Sequence, residues 1–226
     1  MRETLLEILR CPFCGSRLTL VDNQALECAH GRIESGVLGC DCCAFPVVAG
    51  IPVLIADDTA REAMHQLEAD QREQALFTLL GLDDARRVAF QSLMKHPRPT
   101  YRDALAILSL DAEADCFLYR FSDPTFVMIE ALLMGLGQSG NLDPRPVLDL
   151  CGGSGHLTRV LVGLEPAGGV IDADVYFWKL WMARRFNSPS CDAVCCDANN
   201  PLPFVRHACS LVVLADAFPY IWHKRL

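Results

Sequence analysis

Cys11-Pro-Phe-Cys14-Gly15 sets two thiols two residues apart and follows them with a glycine. Two thiolates so spaced can clasp one metal ion, and the glycine permits the tight turn that aims backbone amides at sulfur. A tetrahedral site needs a second pair. Cys40 and Cys43 repeat the spacing, Cys42 can substitute within that pair, and Cys28 and His30 are further donors. Zinc suits sulfur-rich tetrahedral ligation, and its part would be to hold together a segment too small to rest on its own core. Six of the chain's 12 cysteines fall within the first 43 residues. The opening Met1-Arg-Glu-Thr-Leu-Leu-Glu7 is charged and amphipathic, unlike an export signal. These thiols therefore read as metal ligands or buried groups rather than as a secreted disulfide framework.

A second chemistry begins at Val147-Leu-Asp-Leu-Cys-Gly-Gly-Ser-Gly-His156, where a glycine-rich turn lies directly between an apolar run and a helical pattern. Gly153 and Gly155 let the backbone pass close to a ligand, and free amides at the helix start suit an anionic group such as a carboxylate. Asp149, at the strand end, can accept from an ammonium or order the loop. Asp172-Ala-Asp174 closes the next apolar run, where an acidic side chain can accept both hydrogen bonds of a ribose diol. The following run ends in Cys196-Asp197-Ala198, a position suited to an adenine amino group. Three successive acidic strand ends along one sheet edge suggest an adenosine-type ligand lying across it; the plainer role for each acid is to cap the helix that follows. Asp216, beyond a fourth apolar run, can orient a second substrate or take its proton, with His223 the weaker candidate.

Three regions must position these groups. Residues 1–56 carry short alternating runs punctuated by glycine and end in two β-branched runs, which Pro46 and Pro52 assign to sheet edges. Residues 57–140 read as about four helices; the clearest is capped at Ser122 or Asp123, opens on Pro124 and ends at Gly137. Residues 141–226 alternate apolar runs with helical stretches, the rhythm of a parallel sheet covered on both faces. With 51% apolar and 21% charged residues in 226, the chain can bury real cores. No run nears the roughly 18 to 20 apolar residues of a membrane span, and a cytoplasmic protein is expected. The net charge of −8 would repel a phosphate backbone, and residues 57–145 hold 15 acidic against 9 basic side chains. Nucleic acid is therefore not favoured, and small molecules or proteins are the expected partners.

The loop from Asp149 to Gly155 resembles the acid-then-glycine motif of class I S-adenosylmethionine-dependent methyltransferases. Val170-Ile-Asp-Ala-Asp-Val-Tyr-Phe-Trp-Lys-Leu-Trp-Met-Ala-Arg-Arg185 resembles their second strand and helix, Cys196-Asp-Ala-Asn-Asn-Pro-Leu-Pro-Phe204 their adenine-side motif, and Ala208-Cys-Ser-Leu-Val-Val-Leu-Ala-Asp-Ala-Phe218 their fourth strand. The resemblance implies an α/β protein with a Rossmann-like parallel sheet and S-adenosyl-L-methionine as cofactor. It implies Asp149, Cys151, Gly153, Gly155, Asp174, Asp197 and Ala198 as the residues around that cofactor, Asp174 rather than Asp172 as the ribose acid, and Asp216 as the catalytic candidate. Cys151 departs from the pattern, standing where most members carry the first glycine. The loop also lacks the Gly-x-Gly-x-x-Gly spacing of dinucleotide-binding oxidoreductases.

Leu5 to Ile55, with Cys-Pro-Phe-Cys-Gly near its start and Phe45-Pro-Val-Val-Ala-Gly-Ile-Pro-Val-Leu54 at its end, is similar to the small zinc-ribbon-like activator subunits of tRNA and protein methyltransferases. The expected organisation is then a zinc-ribbon-like domain over 1–56 with Cys11, Cys14, Cys40 and Cys43 as zinc ligands, a helical linker or lid over 57–140, and a cofactor-binding domain over 141–226. The expected function is methyl transfer to an unidentified small-molecule or protein acceptor, with a protein partner reached through the head. The alternative is a zinc-ribbon interaction adaptor whose methyltransferase half is degenerate or incomplete. Four strands of a seven-stranded sheet precede Leu226, which predicts a C-terminally truncated chain with Leu211-Val-Val-Leu214 as its apolar edge.

Overall fold

The computed structural model describes residues 1–108, 111–138 and 143–222. Helix α1 (Glu3–Ile8) leads into an antiparallel sheet of β1 (Thr19–Val21), β2 (Glu27–Ala29), β3 (Arg32–Gly39), β4 (Ala44–Val48) and β5 (Ile51–Pro52). The long β3 is its spine, pairing with β4 as well as with β1 and β2. β4 returns to β5 through Ala49-Gly50, with Val48 opposite Ile51; both turn residues hold positive φ, 49° and 69°, as a two-residue hairpin turn requires. The prolines do not both mark edges, as the sequence had suggested. β4 lies between β3 and β5, where Pro46 gives up a ladder donor while its carbonyl accepts from the Val53 amide at 2.9 Å.

Six helices, rather than about four, occupy the next region: α2 (Asp58–Glu68), α3 (Arg72–Leu79), α4 (Asp84–Lys95), α5 (Tyr101–Ile107), α6 (Asp111–Arg120) and α7 (Pro124–Gln138). Side-chain caps open α2, α4 and α5 at boundaries that the Asp57 helix entry, Gly81, Pro97 and Pro99 mark in the sequence. Asp57 accepts from the Ala60 amide, Asp83 from Arg86, and Thr100 forms a reciprocal box with Asp103. The charged run Arg61–Gln74 divides where Asp70 takes a positive φ of 59°. Gly137 does not stop α7; it lies inside the helix, where a Cβ would sit 2.7 Å from the Leu164 side chain. Among the described residues no helix is long and apolar enough to cross a membrane.

The last region is a parallel sheet of β6 (Val147–Leu150), β7 (Val170–Asp174), β8 (Asp192–Cys195) and β9 (Leu211–Val213), in the order β8-β7-β6-β9. Helix α8 (His156–Gly163) follows β6, and α9 (Phe177–Met182) follows β7 and continues as a π-helical turn over Ala183–Asn187. Every residue of β6, β7 and β8 is buried, as expected of a parallel sheet covered on both faces. The two covers differ in kind. Leu148, Leu150, Ile171, Ala173 and Val194 share a core with Met1, Leu5, Leu9, Phe45, Val47 and Leu54 of the antiparallel head. On the alternate positions, Val147 and Val170 pack with Leu157 and Leu161 of α8. A third core joins head residues Val37, Val48 and Val53 to α2–α5 and to Phe177, Leu180 and Trp181. The head thus covers one face of the parallel sheet.

Backbone pairing fixes this seam. Val53 bridges Cys195 in parallel, with the Leu54 amide 2.7 Å from the Cys195 carbonyl, so the head runs on along the β8 edge. Arg10 donates to the Pro203 carbonyl and Val205 to that of Ile8, both at 2.9 Å.

Candidate functional site

Four sulfurs, those of Cys11, Cys14, Cys40 and Cys42, lie within 4.8 Å of one another at the end of the head. Tetrahedral zinc with bonds near 2.3 Å sets its sulfurs about 3.8 Å apart. The separations are 3.8 Å for Cys11–Cys42, 3.8 Å for Cys14–Cys40 and 3.7 Å for Cys40–Cys42. The quartet therefore fits a zinc ion by geometry as well as by donor type. The backbone is shaped for it: Gly15 takes a φ of 74° and donates to the Cys11 carbonyl, and the Phe13 amide approaches the Cys11 sulfur at 3.4 Å. The Ser16 hydroxyl and amide hold the Cys14 thiol down at about 6, toward the thiolate that a metal needs. Burial pushes the Cys11 thiol up.

The quartet differs from the expected one at a single position, Cys42 in place of Cys43. The Cys43 carbonyl accepts from the Cys40 amide, and its half-buried side chain packs against the head core. Cys42 lies at the bend of the Cys40–Cys43 turn with its sulfur among the other thiols, while the Cys43 sulfur, 3.3 Å from that of Cys42, stays outside the quartet. Cys28 is an exposed residue of β2, and neither it nor His30 joins the group.

The C-terminal ends of the parallel strands open into a crevice of about 500 Å³. Its wall brings together Asp149, Cys151, Asp174, Asp197, Ala198 and Asp216. In sheet order these run from Asp197 beyond β8, through Asp174 on β7 and Asp149 on β6, to Asp216 beyond β9. A crevice at the carboxyl ends, where connections from neighbouring strands diverge, is where ligands bind in open α/β sheets. Gly153 and Gly155 stand one step behind the wall. The Gly153 amide donates to Asp174 Oδ2 at 3.2 Å, and Gly155, at φ 87°, brings α8 so near Ala183 that a Cβ would lie 2.9 Å from that residue's own. Asp174 Oδ1 accepts from the Tyr176 amide at 2.9 Å, so the carboxylate is fixed while each oxygen keeps a lone pair for a ligand. Cys151 takes a left-handed φ of 60°, the conformation that favours glycine.

Asp149 and Asp172 lie side by side in strand register, both fully buried. Asp149 accepts from the Thr158 hydroxyl at 2.7 Å, whereas among the described residues neither Asp172 oxygen has a hydrogen-bond partner. Gly152 is squeezed against both; a Cβ there would lie 2.5 Å from Asp172 Oδ1 and 2.7 Å from Asp149 Cγ. Burial drives all three neighbouring carboxyls upward: Asp149 to about 6, Asp172 well above the carboxylate range with the Asp149 charge as second cause, and Asp174 despite its amide bonds. A carboxyl raised on folding costs nothing below its unfolded value near 4, then destabilises increasingly as pH rises toward its folded value. Asp172→Asn keeps the shape without the charge. It is expected to raise stability at neutral pH and to flatten the loss that sets in as pH rises above about 4. Denaturant titrations of both proteins across that range check this, and equal midpoints throughout would show that Asp172 carries no such burden.

Several wall residues escaped the sequence reading. His156 follows the glycine loop directly, a position that could have flagged it, yet it is buried, stacked on Phe121 with centroids 4.6 Å apart, and 2.8 Å from Glu130 Oε1 of α7. Burial lowers its pKa even against Glu130, so the ring clips α7 to the start of α8. Arg120, Tyr176 and Lys179 also reach the crevice. His223 lies outside the described residues.

No family model matches the chain. Two curated relatives align with its N-terminal part. A UPF0434 protein of Mannheimia succiniciproducens is 41% identical over 59 residues, 26% of this chain and 80% of that protein. A UPF0434 protein of Vibrio campbellii is 36% identical over 67 residues, 29% of this chain and 97% of that protein.

Proposed function

The chain belongs, through about its N-terminal 60 residues, to the UPF0434 family; from the residues beyond that segment we propose that it is a zinc-ribbon-headed, S-adenosylmethionine-dependent methyltransferase of Rossmann-like fold. The observation that carries the reading is the row of acids along one sheet edge: Asp197, Asp174 and Asp149 face one crevice in the order that adenine, ribose and amino acid follow in that cofactor. Asp197 and Ala198 would hold the adenine, Asp174 the ribose diol, and Asp149 with the Cys151-Gly152 turn the amino-acid end. When bound, the cofactor supplies an electrophilic sulfonium methyl. The chain's own part is alignment and exclusion of water, which suffice for an in-line displacement. Asp216, exposed at the β9 end of the crevice, would orient the acceptor or take its proton.

Calorimetric titration with S-adenosylmethionine tests this. One site per chain is expected, and Asp174→Ala should weaken it roughly a hundredfold by removing two charge-assisted hydrogen bonds. No heat of binding to the folded wild-type chain would defeat the reading.

The second reading is an interaction adaptor whose sheet is only a platform for the head. It is supported by the comparisons, since both relatives align with the head alone, and by Phe13 of the Cys11–Cys14 turn, which is 55% exposed and stacked on Phe45 at 6.2 Å. Under that reading Asp174→Ala changes nothing measurable.

A further inference from the structure

Four carboxylates, Asp149, Asp174, Asp197 and Asp216, face the crevice, and among the described residues only Arg120 and Lys179 are permanent cations on its wall. Lys179 is already engaged. Its ammonium lies 3.4 Å from Glu113 and above the rings of Tyr176 and Trp178. Arg120 is held more loosely: its guanidinium pairs with Asp216 Oδ2 at 3.6 Å, beyond hydrogen-bond distance, and rests over the Phe126 ring 5.2 Å from the centroid. Among the described residues its N–H groups make no hydrogen bond, so a planar fork of donors, about a third exposed, is presented to the crevice. Its partner Asp216 follows β9 and so fixes it at the β6–β9 end of the wall, opposite the end where Asp197 follows β8. Its charge also reaches Asp149, which it pulls downward against burial.

We propose that Arg120 is the carboxylate receptor of this crevice, binding bidentately the α-carboxylate of an amino-acid group whose nucleoside end lies over Asp174 and Asp197. This rests on the cofactor reading above and adds to it the residue that tells an amino-acid-bearing nucleoside from a plain one. Planar, two-point recognition of carboxylate is what arginine does and lysine does not. Phe126 beneath the guanidinium limits its motion and leaves one edge of the fork for a ligand. A second cavity, of about 380 Å³, shares Arg120, Phe126 and Asp216 with the crevice, so the same guanidinium borders the space open to an acceptor.

The test titrates wild type, Arg120→Gln and Arg120→Lys with S-adenosylhomocysteine and with 5′-methylthioadenosine, which lacks the amino-acid carboxylate. Wild type should prefer the first ligand. Arg120→Gln should weaken that ligand tenfold to a hundredfold while leaving the second within twofold, and Arg120→Lys should fall between. Matched melting temperatures exclude a folding defect. Equal weakening of both ligands, or none of either, overturns the proposal and leaves the cofactor reading standing. Failure of wild type to bind either ligand removes the cofactor reading and this proposal with it.

Discussion

Cys14→Ser, or exhaustive treatment with a strong chelator, is expected to remove one equivalent of zinc per chain and to lower the melting temperature by roughly 10 °C, on the order of 4 kcal/mol for a chain of this size. Cysteine-rich zinc sites in isolated peptides are worth more, because there the metal supplies nearly the whole fold. Here the loss is smaller. Cys11 is buried within a core that Leu9, Leu18, Leu38 and Phe45 also build, so the head keeps apolar contacts when the metal leaves. The outer sides of the turns at Cys11–Gly15 and Cys40–Cys43 lose more, since Cys14 and Cys42 are exposed and make no part of that core. The sharper discrimination lies within the second pair. Cys42→Ser should lose the metal as Cys14→Ser does, while Cys43→Ser should retain it, because the Cys43 sulfur stands outside the quartet. Metal content by plasma emission, with melting curves before and after chelation, reads all four proteins. A chain purified without zinc that melts unchanged after chelation would dispose of the metal centre, and zinc retained by Cys42→Ser but lost from Cys43→Ser would restore the ligand set read from spacing.

Why spacing alone chose Cys43 follows from what sequence encodes. Two thiols two residues apart suffice to recognise a knuckle, and Cys11 with Cys14 met that test. Between neighbours such as Cys42 and Cys43 the choice depends on which sulfur the Cys40–Cys43 turn brings to the other thiols, and spacing does not encode the conformation of that turn. The parallel strands were legible for the opposite reason: continuous apolar runs ending in acids carry their own signature, and Asp149, Asp174 and Asp197 came to one crevice without any contact having to be guessed. Arg120 carried no such mark, since it is one charge among many in an acidic helical region and meets the crevice only through tertiary packing. The sequence shows too few helices because the break between α2 and α3 rests on the left-handed Asp70, with no glycine, proline or side-chain cap to mark it. Least visible was the docking of the head, whose short alternating runs give no hint that one side of them covers β6, β7 and β8.

That docking hinges on one carboxylate. Asp192, first residue of β8 and 1% exposed, accepts from Arg2 Nε at 2.6 Å, from the Arg2 amide at 3.1 Å and from an Arg32 terminal nitrogen at 2.9 Å. Both arginines belong to the head, and Arg184, whose guanidinium donates to the Ala49 carbonyl, brings a third positive charge to the same seam. The crowding is felt at the Met1 ammonium, which burial first and then Arg184 and Arg32 push down to about 5. Asp192→Ala would leave these cations facing one another with less to balance them. Breaking a buried charge pair costs about 3 to 5 kcal/mol; because Arg2 and Arg32 retain some contact with solvent, the expected loss is near the lower figure, about 3 kcal/mol. The loss should be localised before it is global. Amide exchange should quicken first at Leu54, Arg10 and Val205, whose bonds cross the seam, while the Asp149–Asp172 pairing of β6 and β7 exchanges as before. Arg32→Ala introduced into Asp192→Ala should cost less than it does in the wild-type chain, since the charge it removes is then unpaired. If Asp192→Ala costs under about 1 kcal/mol with the three seam amides unchanged, the head is held by its apolar cover alone and the arginine pair is incidental.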